Sequence, residues 1–90
     1  MTAVLLTYDL KTPGQKYEKL YEKLKSMGAW AHVMDSTWII TGASITSQTV
    51  FDAAREIVDD NDLVLATDFD LRGMKGWLRE QTWTWVRDVA

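Results

Sequence analysis

Ala3 to Tyr8 is an almost continuous apolar run, short and rich in branched side chains, which predicts a strand buried on both faces rather than a helix. Proline and glycine in the following Leu10–Gln15 stretch cannot extend that strand and predict a loop. From Tyr17 to Met27 the period changes. Tyr17, Leu20, Tyr21, Leu24 and Met27 recur at helical spacing with Glu and Lys between them, and Gly28 supplies the stop. Ala29–Met34 and Thr37–Thr41 are two β-prone runs around Asp35-Ser36, the pattern of a hairpin with a tight turn. Candidate N-caps at Ser44–Ser47 precede Val50, Phe51, Ala54, Ile57 and Val58, again at helical spacing, with Asp59-Asp60-Asn61-Asp62 beyond. Leu63–Phe69 predicts a fourth strand. In the tail, Trp77, Leu78, Gln81 and Trp85 have helical spacing whereas Thr82–Val86 alternates like a strand; a short helix is the expectation.

The order β, α, β, β, α, β predicts an α+β fold of the ferredoxin-like kind: residues 1–72 as the domain and 73–90 as a Trp-rich extension on it or on a dimer partner. In that plan both helices lie on one face of the sheet, and the first and third strands are neighbours. Yet the first strand is apolar at both parities, with Val4, Leu6 and Tyr8 opposing Ala3 and Leu5, and on the third Trp38 and Ile40 oppose Ile39. The second face therefore needs its own cover. A second subunit is the expected one; the tryptophan-rich tail folding over is the alternative.

Composition narrows the function classes. Ninety residues, 47% apolar and 26% charged, make one globular domain of modest intrinsic stability, which adds to the expectation of a homodimer. No cysteine occurs, so a disulfide scaffold, a thiolate metal site and a cysteine nucleophile are excluded. The start lacks a basic leader segment and no apolar run is long enough to span a membrane, so no membrane association and a cytoplasmic location are expected. Ten basic against thirteen acidic side chains give a net charge of −3, which supplies no broad positive field for a phosphate backbone. Five tryptophans suggest an interface.

The candidate chemistry gathers at one rim. If the first two long strands run parallel, Asp9 at the end of the first shares an edge with the Asp35-Ser36 turn and with the start of the fourth strand after Asp59, Asp60 and Asp62. Carboxylates there suit a hard divalent ion, Mg2+ or Mn2+, with Asp9 and Asp35 as ligands. Tyr8, Lys11 and Ser36 are placed to contact a substrate. Aspartates also collect at turns for conformational reasons, the expected role of Asp59, Asp60 and Asp62. His32, the sole histidine, is expected to pack or hydrogen-bond within its strand rather than act as a base. Lys11, Lys16, Lys19 and Lys23 could form a strip facing phosphate, as could Arg72, Lys75 and Arg79, and Trp83 and Trp85 could stack on bases or pack at an interface. No glycine-rich phosphate loop, serine elbow or paired-histidine motif is present.

Several segments carry a family resemblance. Leu-Leu-Thr-Tyr-Asp-Leu10, Thr-Pro-Gly-Gln-Lys-Tyr17, Tyr-Glu-Lys-Leu-Tyr-Glu-Lys-Leu24 and Asp-Ser-Thr-Trp-Ile-Ile40 resemble the SinR-like small proteins, which are similar to the CRISPR-associated endonuclease subunit of spacer acquisition and more distantly to VapD toxins. The resemblance covers residues 3–70 and implies a ferredoxin-like homodimer. In it, the aspartate ending the first strand, Asp9, would be the metal-binding and catalytic residue of a metal-dependent nuclease acting on RNA or DNA. The tail departs from the CRISPR subunit. The second expectation, from another class, is a non-catalytic dimeric interaction or scaffold module that takes a protein partner through the Trp-rich tail.

Overall fold

In a computed structural model, which describes residues 2–11 and 15–90, the chain forms a four-stranded antiparallel sheet with three α-helices. The elements run β1 (Thr2–Asp9), α1 (Gln15–Lys25), β2 (Ala29–Met34), β3 (Thr37–Thr41), α2 (Ser47–Arg55), β4 (Leu63–Asp70), a 3-10 turn (Leu71–Gly73) and α3 (Glu80–Val89). The loop expected around Pro13-Gly14 and the side chain of Lys16 lie outside the described residues. No helix among the described residues is long and apolar enough to cross a membrane.

The sheet order is β2-β3-β1-β4, which puts the doubly apolar β1 between two neighbours. Its register aligns Val4 with Ile40 and Leu6 with Trp38 on one side, and Leu6 with Ala66 and Tyr8 with Val64 on the other. Because side chains alternate across a strand, these pairings sort the apolar residues into two layers. On the first face Val4, Leu6, Tyr8, Leu10, Trp38 and Ile40 pack with Leu20 and Leu24 of α1 and Val50 and Ala54 of α2. On the second, Ala3, Ala31, Val33 and Ile39 pack with Leu71 and Val86, and Leu78, Trp83, Trp85 and Val89 close over them. The second face thus has a cover within the chain: the tail.

That tail is helical over Glu80–Val89, where apolar Trp83, Val86 and Val89 fall at helical spacing. Trp77 and Leu78 lie outside the helix, in the extended approach to it, so the spacing that groups them with Gln81 and Trp85 does not reflect one helix. The second helix also stops at Arg55; Ile57 and Val58 follow in a turn and still pack against the first core. Its start is set by a reciprocal cap in which Thr46 Oγ1 accepts from Thr49 N at 3.1 Å and Thr49 Oγ1 accepts from Thr46 N at 3.0 Å. Asp68 on β4 accepts from Ser47 N and Ser47 Oγ at 3.0 and 2.8 Å, tying the positive end of α2 to the sheet edge.

Gly28 enters β2 where the chain passes β3 closely. A Cβ there would lie 2.6 Å from the Thr41 carbonyl oxygen and 3.3 Å from Ile45 Cγ1, so one strand would have to shift. Gly28→Ala is expected to lower stability by about 1–3 kcal/mol, the usual cost of overpacking, read as a reduced midpoint in urea with an unchanged m value.

Candidate functional site

β1 and β2 end on the same rim of the sheet. The Asp35-Ser36 turn joins this rim through the Ser36 carbonyl, which accepts from Tyr8 N at 3.1 Å, and Asp9 pairs in register with Leu63 at the start of β4. The rim deduced from strand order therefore forms, and Tyr8, Asp9, Lys11, Asp35 and Ser36 come together there. Their side chains, however, are used differently from one another.

The Tyr8 hydroxyl is buried and internally satisfied. It accepts from Trp38 Nε1 at 3.1 Å and donates to the Asp35 carbonyl at 3.4 Å. Burial pushes its phenol well above the ordinary value near 10, and the Trp38 N–H pulls only partly the other way. His32 stacks on Trp38 with ring centroids 4.3 Å apart and a 16° tilt, and meets Tyr21 edge-on at 4.9 Å. Its Nε2 lies 3.1 Å from the same Asp35 carbonyl, which can only accept, so Nε2 is the donor. Asp35 serves this cluster through its backbone oxygen, while its own carboxylate end is exposed. The packing role expected for His32 is the one it has; Tyr8 acts in the same cluster and not on an open surface.

Asp62, from the acidic run before β4, turns inward. Its carboxylate accepts from Lys11 N at 2.7 Å and from Asp59 N at 2.8 Å, clamping the exit of β1 to the entry of β4. This is the conformational role expected of a turn aspartate, extended to a contact 51 residues apart in the chain. Asp9 is left facing outward with Lys11, whose Nζ lies 2.9 Å from Asp9 Oδ2, both side chains largely exposed. Beside them a shallow cavity of about 190 Å³ is lined by Thr7, Tyr8, Asp9, Leu63, Val64 and Leu65.

Among the described residues, no three of His, Asp and Glu gather closely enough to hold a metal ion. Asp9 offers one exposed carboxylate, paired with Lys11, whereas Mg2+ and Mn2+ take one or two carboxylates and complete their shell with phosphate oxygens and water. The Mg2+ or Mn2+ expected at this rim therefore gains no support from the described residues.

Two surface features escaped the sequence reading. Leu63 and Leu65, on one face of β4, are 62% and 60% exposed at this rim. The two sheet edges also differ. Arg79, ahead of α3, places Nη2 2.9 Å from the His32 carbonyl and 3.1 Å from the Val33 carbonyl, covering the outer backbone of β2. The outer edge of β4 is paired with no strand among the described residues. Neither was readable from spacing, since which strand lies at an edge is a property of the sheet.

The fold and rim define a small α+β domain whose antiparallel sheet is covered on one face by α1 and α2 and over part of the other by the tail, leaving an aspartate-lysine pair and two second-face leucines of β4 exposed at one end. Neither a family model nor a curated protein nor a solved structure matches the chain.

Two outcomes follow from the polar clamp and the buried phenol. Asp62→Ala should cost about 2–3 kcal/mol by stranding two backbone N–H groups, lowering Tm by roughly 10 °C or more in a thermal melt. Because the Tyr8 phenol is harder to ionise folded than unfolded, stability should be fully present below about pH 10 and fall as pH rises above it. Tyr8→Phe should start less stable, with Trp38 Nε1 unsatisfied, and show a shallower alkaline decline in denaturant titrations.

Proposed function

We propose that this protein is a ferredoxin-like homodimeric interaction module whose second copy docks at the β4 end of the sheet. The strand order β2-β3-β1-β4, with α1 and α2 on one face, supports the ferredoxin-like reading. The observation that carries the dimer is the contrast between the two edges: β2 is capped by Arg79, whereas β4 offers an unpaired backbone edge flanked by exposed Leu63 and Leu65. An open apolar edge strand is a template for pairing unless something covers it, and a second copy is the cover that gives a closed assembly.

The protein should sediment as a dimer at micromolar concentration. Leu63→Asp combined with Leu65→Asp should shift it to monomer while the far-UV circular dichroism stays unchanged. A wild-type monomer under those conditions would overturn the reading.

A second reading uses the same rim. The exposed Asp9 lies beside Leu63 and Leu65, so a two-fold contact there would bring an Asp9 from each copy near the other. Two carboxylates could then share a divalent ion and a phosphodiester, making the dimer the metal-dependent nuclease that the SinR-like resemblance implies. Against it stands Lys11, which a cation would have to displace from Asp9. This reading expects Mg2+- or Mn2+-dependent cleavage of RNA or DNA that falls at least about a hundredfold in Asp9→Ala, a size typical of losing an essential catalytic group. The module reading expects no cleavage in either protein, and chelator should separate the two.

A further inference from the structure

The chain from the 3-10 turn to α3 is held down at residues three and four apart. Leu71, Met74 and Leu78 are packed into the second-face core, and Trp77 between them is 101% exposed. No other tryptophan is so placed. Trp38 is buried, Trp83 and Trp85 on α3 pack against the second-face core, and Trp30 at 37% has the Lys25 ammonium 4.9 Å from its ring centre. The fold makes no use of the Trp77 indole. Its full exposure leaves the indole open to approach from solvent.

Charge is concentrated around it. Arg72, Lys75 and Arg79 lie between Asp70 and Glu80, giving this stretch a net charge of +1 against −4 over the rest of the chain. Asp70 holds the Arg72 guanidinium at 2.8 Å, and the β2 carbonyls orient Arg79, so two of the three cations are fixed while Lys75 is exposed. Aromatic rings accept any base by stacking, and nearby cations hold the intervening phosphates.

We propose that Trp77 is a stacking platform for single-stranded nucleic acid, with Lys75 as its principal phosphate contact. A membrane surface fits less well, because interfacial binding scales with apolar area and Trp77 is a lone exposed indole whose neighbours Met74 and Leu78 face inward. The site stands apart from the β4 rim and does not depend on dimerisation there.

The test is fluorescence anisotropy with labelled oligo(dT) and oligo(U) of about 12 nucleotides, within the usual site sizes, at low and moderate salt. The full chain should bind both. Trp77→Ala should weaken binding about tenfold, Trp77→Phe should keep most of it, and Lys75→Ala should weaken it while reducing the salt slope by about one. Circular dichroism should be unchanged in all three, since neither side chain is buried. Equal binding by wild type and Trp77→Ala, no binding to either oligonucleotide, or Trp77-dependent binding to phosphatidylserine vesicles alone would each overturn the proposal.

Discussion

The whole architecture depends on β1 being apolar on both faces. A strand of that kind is stable only between two neighbours and between two covering layers, since either open face would leave a row of branched side chains in water. Placing β1 between β3 and β4 meets the first demand. Helices α1 and α2 meet the second on the side of Val4, Leu6 and Tyr8, and α3 meets it on the side of Ala3. Without α3 the second face would be bare over Ala31, Val33 and Ile39, so the tryptophan-rich tail belongs to the domain's core.

That arrangement also decides which polar groups at the rim are free. The Asp35 carbonyl, the Tyr8 hydroxyl, Trp38 Nε1 and His32 Nε2 satisfy one another beneath the surface, and Asp62 satisfies two backbone N–H groups across the loop. Buried polar groups without partners would be costly, so these residues are committed to holding the rim in shape. What faces outward includes the Asp9-Lys11 pair, the Asp35 carboxylate and two leucines of β4. The end of the domain is thus shaped by groups that bond to one another, with the Asp9-Lys11 pair on its outer surface.

The two sheet edges diverge for a related reason. Arg79 meets the β2 carbonyls on the segment that crosses the second face into α3, whereas the outer edge of β4 pairs with no strand among the described residues. The same crossing segment carries Trp77 outward between two anchored residues, so the covering of the second face produces both the closed edge and the exposed indole.

Periodicity alone determined the strands, the two main helices and the need for a second cover, because burial on one or both sides writes itself directly into side-chain spacing. The hairpin bounds at Ala29–Met34 and Thr37–Thr41 and the meeting of Asp9 with the Asp35-Ser36 turn were legible in this way. Spacing could not say what supplied the cover, since a tail and a second subunit answer the same apolar surface. Nor could it tell Asp62, buried and clamped between loops, from the exposed Asp59 and Asp60 beside it, or Trp77 from Trp83 and Trp85. Those distinctions belong to tertiary structure, because each turns on which distant backbone or side chain arrives beside a residue whose type and local pattern are the same.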